Sequence, residues 1–205
     1  MKSSLIPEVN GIKSILYGTY EKSERVYVYL HGAGEFGQGI EGQYKYPGFA
    51  TLLRDGEISL GEPFIIACCM DGSHWLPDSL TLYLNAVSTF FSGAQIDLIG
   101  YSRGGEGVYE YLQRHVNVRT ATVINSEVPQ LLPTNLEVPL HVIHASHDQF
   151  TSFDKVQKFV ELHLGDTVKL TKWEGNHFSI EAIALSKEWQ KWIEQPDQRL
   201  TETAT

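Results

Sequence analysis

The stretch Ile99-Gly100-Tyr101-Ser102-Arg103-Gly104-Gly105 decides how this chain is read. It continues the short apolar run Gln95-Ile96-Asp97-Leu98-Ile99, which suits a buried parallel strand. Gly100 and Gly104 bracket Ser102 at G-x-S-x-G spacing, so the pattern predicts a sharp turn from a strand into a helix. Such a turn holds its apical residue in strained backbone angles, and the neighbours must lack side chains that would collide. The serine hydroxyl is then lifted clear of the sheet. The helix behind it aims backbone N–H groups at whatever lies above.

A G-x-S-x-G turn also arises by chance, so the reading depends on companion groups in the right chain order. An attacking serine needs a general base, and the base needs a carboxylate to fix its tautomer. On a strand-turn-helix scaffold the order is serine, acid, histidine. Downstream of Ser102 the apolar strand Pro139-Leu140-His141-Val142-Ile143-His144 runs into the polar loop Ala145-Ser146-His147-Asp148. A later strand, Thr167-Val168-Lys169-Leu170-Thr171, feeds Glu174-Gly175-Asn176-His177-Phe178. The candidates are Ser102, Asp148 and His177, and each intervening length of chain returns it to the same edge of a parallel sheet. Upstream, the strand Arg25-Val26-Tyr27-Val28-Tyr29-Leu30 enters His31-Gly32-Ala33-Gly34-Glu35-Phe36-Gly37. A backbone N–H of Ala33 or Gly34, with that of Arg103, is expected to receive a developing oxyanion. Sequence does not choose between Ala33 and Gly34.

On these residues the chain resembles the α/β-hydrolase superfamily, over positions 25–193. The stretch Leu30-His31-Gly32-Ala33-Gly34-Glu35 is similar to compact esterases related to the dienelactone hydrolases and the phospholipase/carboxylesterase group. The resemblance implies an α/β-hydrolase fold: a mostly parallel central sheet with helices on both faces and no cap domain. It also implies a serine hydrolase that cleaves a small-molecule carboxylic ester or thioester through an acyl-enzyme on Ser102, without metal or organic cofactor. Dienelactone hydrolases use a cysteine where this chain has Ser102, which favours ordinary ester or thioester hydrolysis. An acyltransferase would use the same three side chains. A non-catalytic ligand-binding module on the same fold is the alternative from another class, since fold does not fix function.

Composition agrees with such a domain. The 205 residues suit a single domain, 1–205, with a core over about 12–193 and a polar tail, 195–205, expected to be frayed. The formal charge of −9 argues against a nucleic-acid partner, because phosphate binding needs clustered Lys and Arg. The opening Met1-Lys2-Ser3-Ser4-Leu5-Ile6-Pro7 lacks the apolar core of a signal peptide, and no segment is long and apolar enough to span a membrane. A cytoplasmic location is therefore expected; oligomeric state is not legible. Strands are expected at 12–20, 25–30, 63–69, 96–101, 120–125, 139–144 and 167–172. Helices are expected near 46–55, 78–91, 103–115, 153–163 and 180–193. The alternation predicts a parallel sheet covered on both faces. The short N-terminal part leaves room for one or two strands before Arg25.

The remaining signals concern the mouth of the site. Trp75, Phe36, Phe150 and Phe178 are expected to line a substrate pocket, with Tyr44 and Tyr46 as weaker candidates. The Arg103 side chain is expected to pair with Glu106 or Glu127, or to hold a substrate carboxylate. His31 is expected to support the loop that carries Ala33 and Gly34. His147 and His74 are rival bases, and Asp71 is a rival acid that breaks the chain order. Cys68 and Cys69 are adjacent on a strand, so they point to opposite faces and read as two buried thiols.

Overall fold

The computed structural model describes residues 3–18, 23–70, 72, 74–115, 117–130, 136–163 and 167–194. Asp71 and the tail 195–205 lie outside the described residues. In chain order the elements are β1 (Ser3–Val9), β2 (Ile12–Tyr17), β3 (Arg25–Leu30), a 3-10 turn (Ala33–Glu35), α1 (Gly39–Gly42), α2 (Phe49–Asp55) and β4 (Phe64–Cys69). They continue with α3 (Pro77–Phe90), β5 (Gln95–Tyr101), α4 (Arg103–Leu112), β6 (Thr120–Ile124), β7 (Leu140–Ala145), α5 (Phe153–His163), β8 (Val168–Trp173), α6 (Ile180–Leu185) and α7 (Lys187–Glu194). The strands form one sheet in the order β1-β2-β4-β3-β5-β6-β7-β8. From β4 to β8 each neighbouring pair is parallel, while β1 and β2 are antiparallel to their neighbours.

The parallel strands read as unbroken apolar runs because both of their faces are covered. Every residue of β4, β6 and β7 is buried. Successive side chains feed two separate cores, as the period of two requires. Val26, Val28 and Leu30 of β3 pack with Leu80, Tyr83, Val108 and Val156, beneath α3, α4 and α5. Tyr27 and Tyr29 of the same strand pack on the opposite face with Phe49, Leu52, Ile183 and Trp189, beneath α2, α6 and α7. Cys68 joins the second core and Cys69 the first; both are buried and neither forms a disulfide. Burial pushes the Cys68 thiol up to about 12, so it stays protonated at neutral pH.

Two elements differ most from the sequence reading. The room left before Arg25 holds two strands, of which the sequence reading places only β2. Strand β1 pairs with β2 through the two-residue turn Asn10-Gly11, whose φ values of 52° and 77° are those of a tight hairpin turn. Pro7 interrupts the alternating pattern of β1, and the register slips between Ile6 and Val9; both are tolerated because β1 is an edge strand. The single helix expected over 180–193 is broken at Ser186, whose backbone is extended. The Ser186 hydroxyl donates to the Ile183 carbonyl at 2.7 Å and accepts from the Trp189 N–H at 3.2 Å, so it caps both helices. The break turns Trp189, Trp192 and Ile193 into the second core, each fully buried.

One buried charge lies at the opposite end of the sheet from Ser102. Asp97 of β5 is 1% exposed and accepts from Arg25 at 3.1 Å, Arg119 at 2.8 Å and the Thr120 hydroxyl at 2.5 Å. Both arginines also donate to the Ile193 carbonyl, which ties α7 to the start of β3 and β6. Among the described residues, no helix is long and apolar enough to cross a membrane. Removing one partner of a buried pair leaves the other uncompensated. Asp97→Asn is therefore expected to lower the unfolding free energy by about 3 kcal/mol, measured as a shift of the urea midpoint at constant slope.

Candidate active site

In a parallel sheet the loops after each strand emerge at one edge, and here the loops after β3, β5, β7 and β8 meet there. Ser102 sits between β5 and α4 at φ 53° and ψ −118°, a conformation rarely adopted by a residue with a side chain. The turn closes because its neighbours are glycines. A Cβ on Gly100 would lie 2.3 Å from the Gly104 carbonyl oxygen, and one on Gly104 would lie 2.0 Å from that of Leu30. Helix α4 therefore seats directly on β3 and β5. The Ser102 N–H continues the ladder by donating to the Ile124 carbonyl at 2.9 Å, and the Ser102 carbonyl accepts the first bonds of α4.

The three side chains named from sequence spacing come together at this edge. The His177 Nε2 lies 3.0 Å from the Ser102 Oγ, and the His177 Nδ1 lies 2.7 Å from the Asp148 Oδ2. An ionised carboxylate only accepts, so Nδ1 carries the proton and Nε2 is left to accept from the serine hydroxyl. Asp148 is itself fixed: its Oδ1 accepts from the N–H groups of Phe150 at 2.8 Å and Thr151 at 3.1 Å. His144 lies beneath it. Its Nε2 donates to the Thr151 carbonyl at 2.7 Å, and burial holds this imidazole below its ordinary pKa.

Two residues that sequence reasoning did not single out hold the histidine loop. Asn125, at the end of β6, donates from Nδ2 to the His177 carbonyl at 2.8 Å. Its Oδ1 accepts the Ala145 N–H at 2.8 Å, so one amide ties the end of β7 to the loop after β8. The Tyr101 hydroxyl also donates to the His177 carbonyl, at 3.1 Å. Asn125 has φ 47°, a backbone value that asparagine tolerates better than most residues. That polar residue ending a buried strand was the available signal.

The loop after β3 runs alongside the serine. A Cβ on Gly32 would lie 3.4 Å from the Ser102 Cβ, and the Tyr46 ring rests against Gly34. Ala33, Gly34 and Arg103 all face the same cavity as Ser102. His31 underpins the loop, fully buried. Its Nδ1 donates to the Gly32 carbonyl at 2.8 Å and its Nε2 accepts the Cys69 N–H at 3.1 Å. Burial lowers its pKa to about 4, so it stays neutral and can play both parts.

The cavity over Ser102 holds about 920 Å³, and Phe150, Phe178, Tyr46, Phe49 and Ile180 contribute its apolar wall. Trp75 and Phe36, expected in the pocket, are not among its lining residues. They pack on the other face of the sheet, in the core beneath α3 and α4. The Trp75 Nε1 donates to the His31 carbonyl at 3.1 Å, and its ring centroid lies 4.8 Å from that of His31 and 5.7 Å from that of Phe36. Gly107 leaves the space: a Cβ there would lie 2.6 Å from the Trp75 Cβ. Tyr44 turns away too, its hydroxyl bonded to that of Tyr17 at 2.6 Å. The Arg103 guanidinium pairs with Glu106 at 2.6 Å, while Glu127 pairs with Lys155 and accepts from the Thr151 hydroxyl. His147 pairs with Glu174 at 3.0 Å, away from Ser102. Among the described residues, no three His, Cys, Asp or Glu side chains gather as a metal site.

Glu35 also lines the cavity, and burial without a cationic partner raises its carboxyl pKa to about 7. Ionising Glu35 is thus harder in the folded chain than in the unfolded one. Its contribution to stability is complete below the unfolded value of 4.5 and is lost as pH rises through 7. Glu35→Gln removes that loss. With solvent screening of a partly exposed group allowed for, the variant is expected to exceed the parent by about 1–2 kcal/mol at pH 8 and to match it at pH 4, read from paired urea unfolding curves.

No protein-family model matches this sequence, and no curated protein matches it at a significant level. Solved structures do match. A thermostable esterase superposes with TM-score 0.72 at 15% identity over 94% of this chain, which spans 62% of that protein's length. A carboxylesterase from Mesorhizobium loti gives 0.68 at 17% identity, covering 95% of this chain and 99% of the other. An α/β serine hydrolase without a lid from Xanthomonas campestris gives 0.71 at 14% identity, covering 94% of each chain. With an eight-stranded, mostly parallel sheet between two helical layers, the chain has the α/β-hydrolase fold.

Proposed function

We propose that the chain is a serine hydrolase acting on small-molecule carboxylic esters or thioesters. The observation that carries this reading is the unbroken line of hydrogen bonds from Ser102 Oγ through His177 to Asp148. The esterase and hydrolase names of the structures that share its fold support it. In this mechanism Ser102 attacks the acyl carbon as its proton passes to His177 Nε2. Asp148, already bonded to Nδ1, stabilises the imidazolium that forms. The tetrahedral oxygen accepts from the N–H of Arg103, at the free start of α4, and from that of Ala33 or Gly34. His177 returns the proton to the departing alcohol or thiol, leaving an acyl-enzyme. Water, deprotonated by His177, then releases the acid and restores Ser102.

Transfer of the acyl group to an alcohol or amine would follow the same path with another nucleophile in the second step. Apolar rings flank the entrance. Phe150 is 67% exposed and Phe178 65% exposed; both pack edge-on against the His177 ring and against each other, and they offer contact to an apolar part of the substrate.

A fluorophosphonate probe is expected to label Ser102 and to leave the Ser102→Ala variant unmodified, read by mass spectrometry of the modified peptide. On p-nitrophenyl esters from acetate to decanoate, Ser102→Ala is expected to lower kcat by ~10⁴-fold or more, and Asp148→Asn by ~10³–10⁴-fold. A folded protein that takes no label and cleaves no ester of the series would overturn the reading.

A further inference from the structure

Beside Ser102 the cavity wall carries polar groups that the proposed reaction leaves idle. Glu35, Gln43 and Tyr29 all line it. Gln43 is 5% exposed, and its side-chain Nε2 is buried without a partner among the described residues. Tyr29 is 4% exposed and lines the same cavity. Among the described residues no cation pairs with Glu35, whose carboxyl is bonded by its own backbone N–H, and it lies close enough to Tyr29 for its charge to disfavour the phenolate there. Glu35 and Gln43 belong to the segment that follows β3, and Tyr29 lies near the end of β3 itself. The Glu35 carbonyl accepts from the Gln38 N–H, and a Cβ on Gly42, the residue before Gln43, would lie 3.9 Å from that carbonyl.

Buried polar groups are nearly always paired, and an unpaired one costs free energy unless something fills the role. The unpaired Gln43 N–H, with the Glu35 carboxyl and Tyr29 in the wall of the same ligand-sized cavity, calls for an occupant that both donates and accepts. A plain alkyl chain does neither. An ammonium group would satisfy Glu35 and leave the Gln43 N–H without an acceptor. A hydroxyl meets all three, since it can donate to the carboxyl or the amide oxygen and accept from the tyrosine or the amide N–H.

We propose that Glu35, Gln43 and Tyr29 form a polar recognition subsite, and that the ester cleaved at Ser102 carries a hydroxyl-bearing group that reaches it. This rests on the hydrolase reading above. The desolvated state of Glu35, with its carboxyl held up to about 7, agrees with a cavity wall kept ready for a neutral hydrogen-bonding group.

Matched ester pairs test it, with acid release followed in a pH-stat. One pair varies the alcohol, glyceryl monobutyrate against n-propyl butyrate. The other varies the acyl chain, methyl 6-hydroxyhexanoate against methyl heptanoate, with methyl 6-aminohexanoate as a cationic comparison. The expected result is that the hydroxylated member of at least one pair is favoured tenfold or more in kcat/KM. In Gln43→Leu and in Glu35→Leu that ratio is expected to fall to within threefold of unity. The ratio within one protein preparation is the readout, so partial loss of folded enzyme does not move it. Equal rates within both pairs, a preference for the amino ester, or a hydroxyl preference that survives both substitutions would each overturn the subsite while Ser102 still takes a fluorophosphonate. Failure of the hydrolase reading looks different: Ser102 takes no label, no member of either pair is cleaved, and this proposal falls with it.

Discussion

The seat of α4 on the sheet is the contact on which the rest of the structure depends. The helix begins so close to β3 and β5 that Gly104 has the Leu30 carbonyl where a side chain would be. That closeness forces the chain to reverse within one residue, and the residue is Ser102, held at positive φ. The strain is local, and the surrounding backbone over-determines it. The N–H of Ser102 is spent on the Ile124 carbonyl and its own carbonyl on the first turn of α4. The side chain alone is left uncommitted to the scaffold, directed at His177.

Around that point the fold supplies rigidity through neutral groups. His31 supports the loop after β3 with one donated and one accepted bond, which only an uncharged imidazole can provide. Asn125 joins two loops with one amide, and Tyr101 adds a hydroxyl. These groups fix the carbonyl of His177, and so the position of its ring, without adding a charge that would compete with Asp148 for the imidazole. Two pairs of full charges near the mouth neutralise each other, Arg103 with Glu106 and Glu127 with Lys155.

Much of this was legible in the sequence because the determinants are local in the chain. A glycine-bracketed serine after an apolar run and polar loops after two later strands mark positions that a parallel sheet must bring to one edge. What escaped was decided by packing between distant segments. Trp75 follows a strand at the right edge, yet it turns under α4 because Gly107 leaves room there. Whether an aromatic after a strand faces the cavity or the core depends on which face of the sheet it meets, and spacing does not encode that. Asn125 acts through partners 20 and 52 residues away, which no local pattern announces. The Asn10-Gly11 hairpin is the opposite case. Its signal is entirely local, but Pro7 obscured the alternation that would have marked β1.

The Asp97 cluster has a geometric consequence. Arg25 and Arg119 clasp the last turn of α7 at the end of the sheet where β3 and β6 begin, whereas the Ser102 cavity opens where those strands finish. Helix α7 therefore ends at the edge of the sheet opposite the one that carries Ser102. A molecule tethered to a bead or an electrode through a side chain at Glu194 would stand with its entrance turned toward solution, and diffusion to the serine would not have to pass the support.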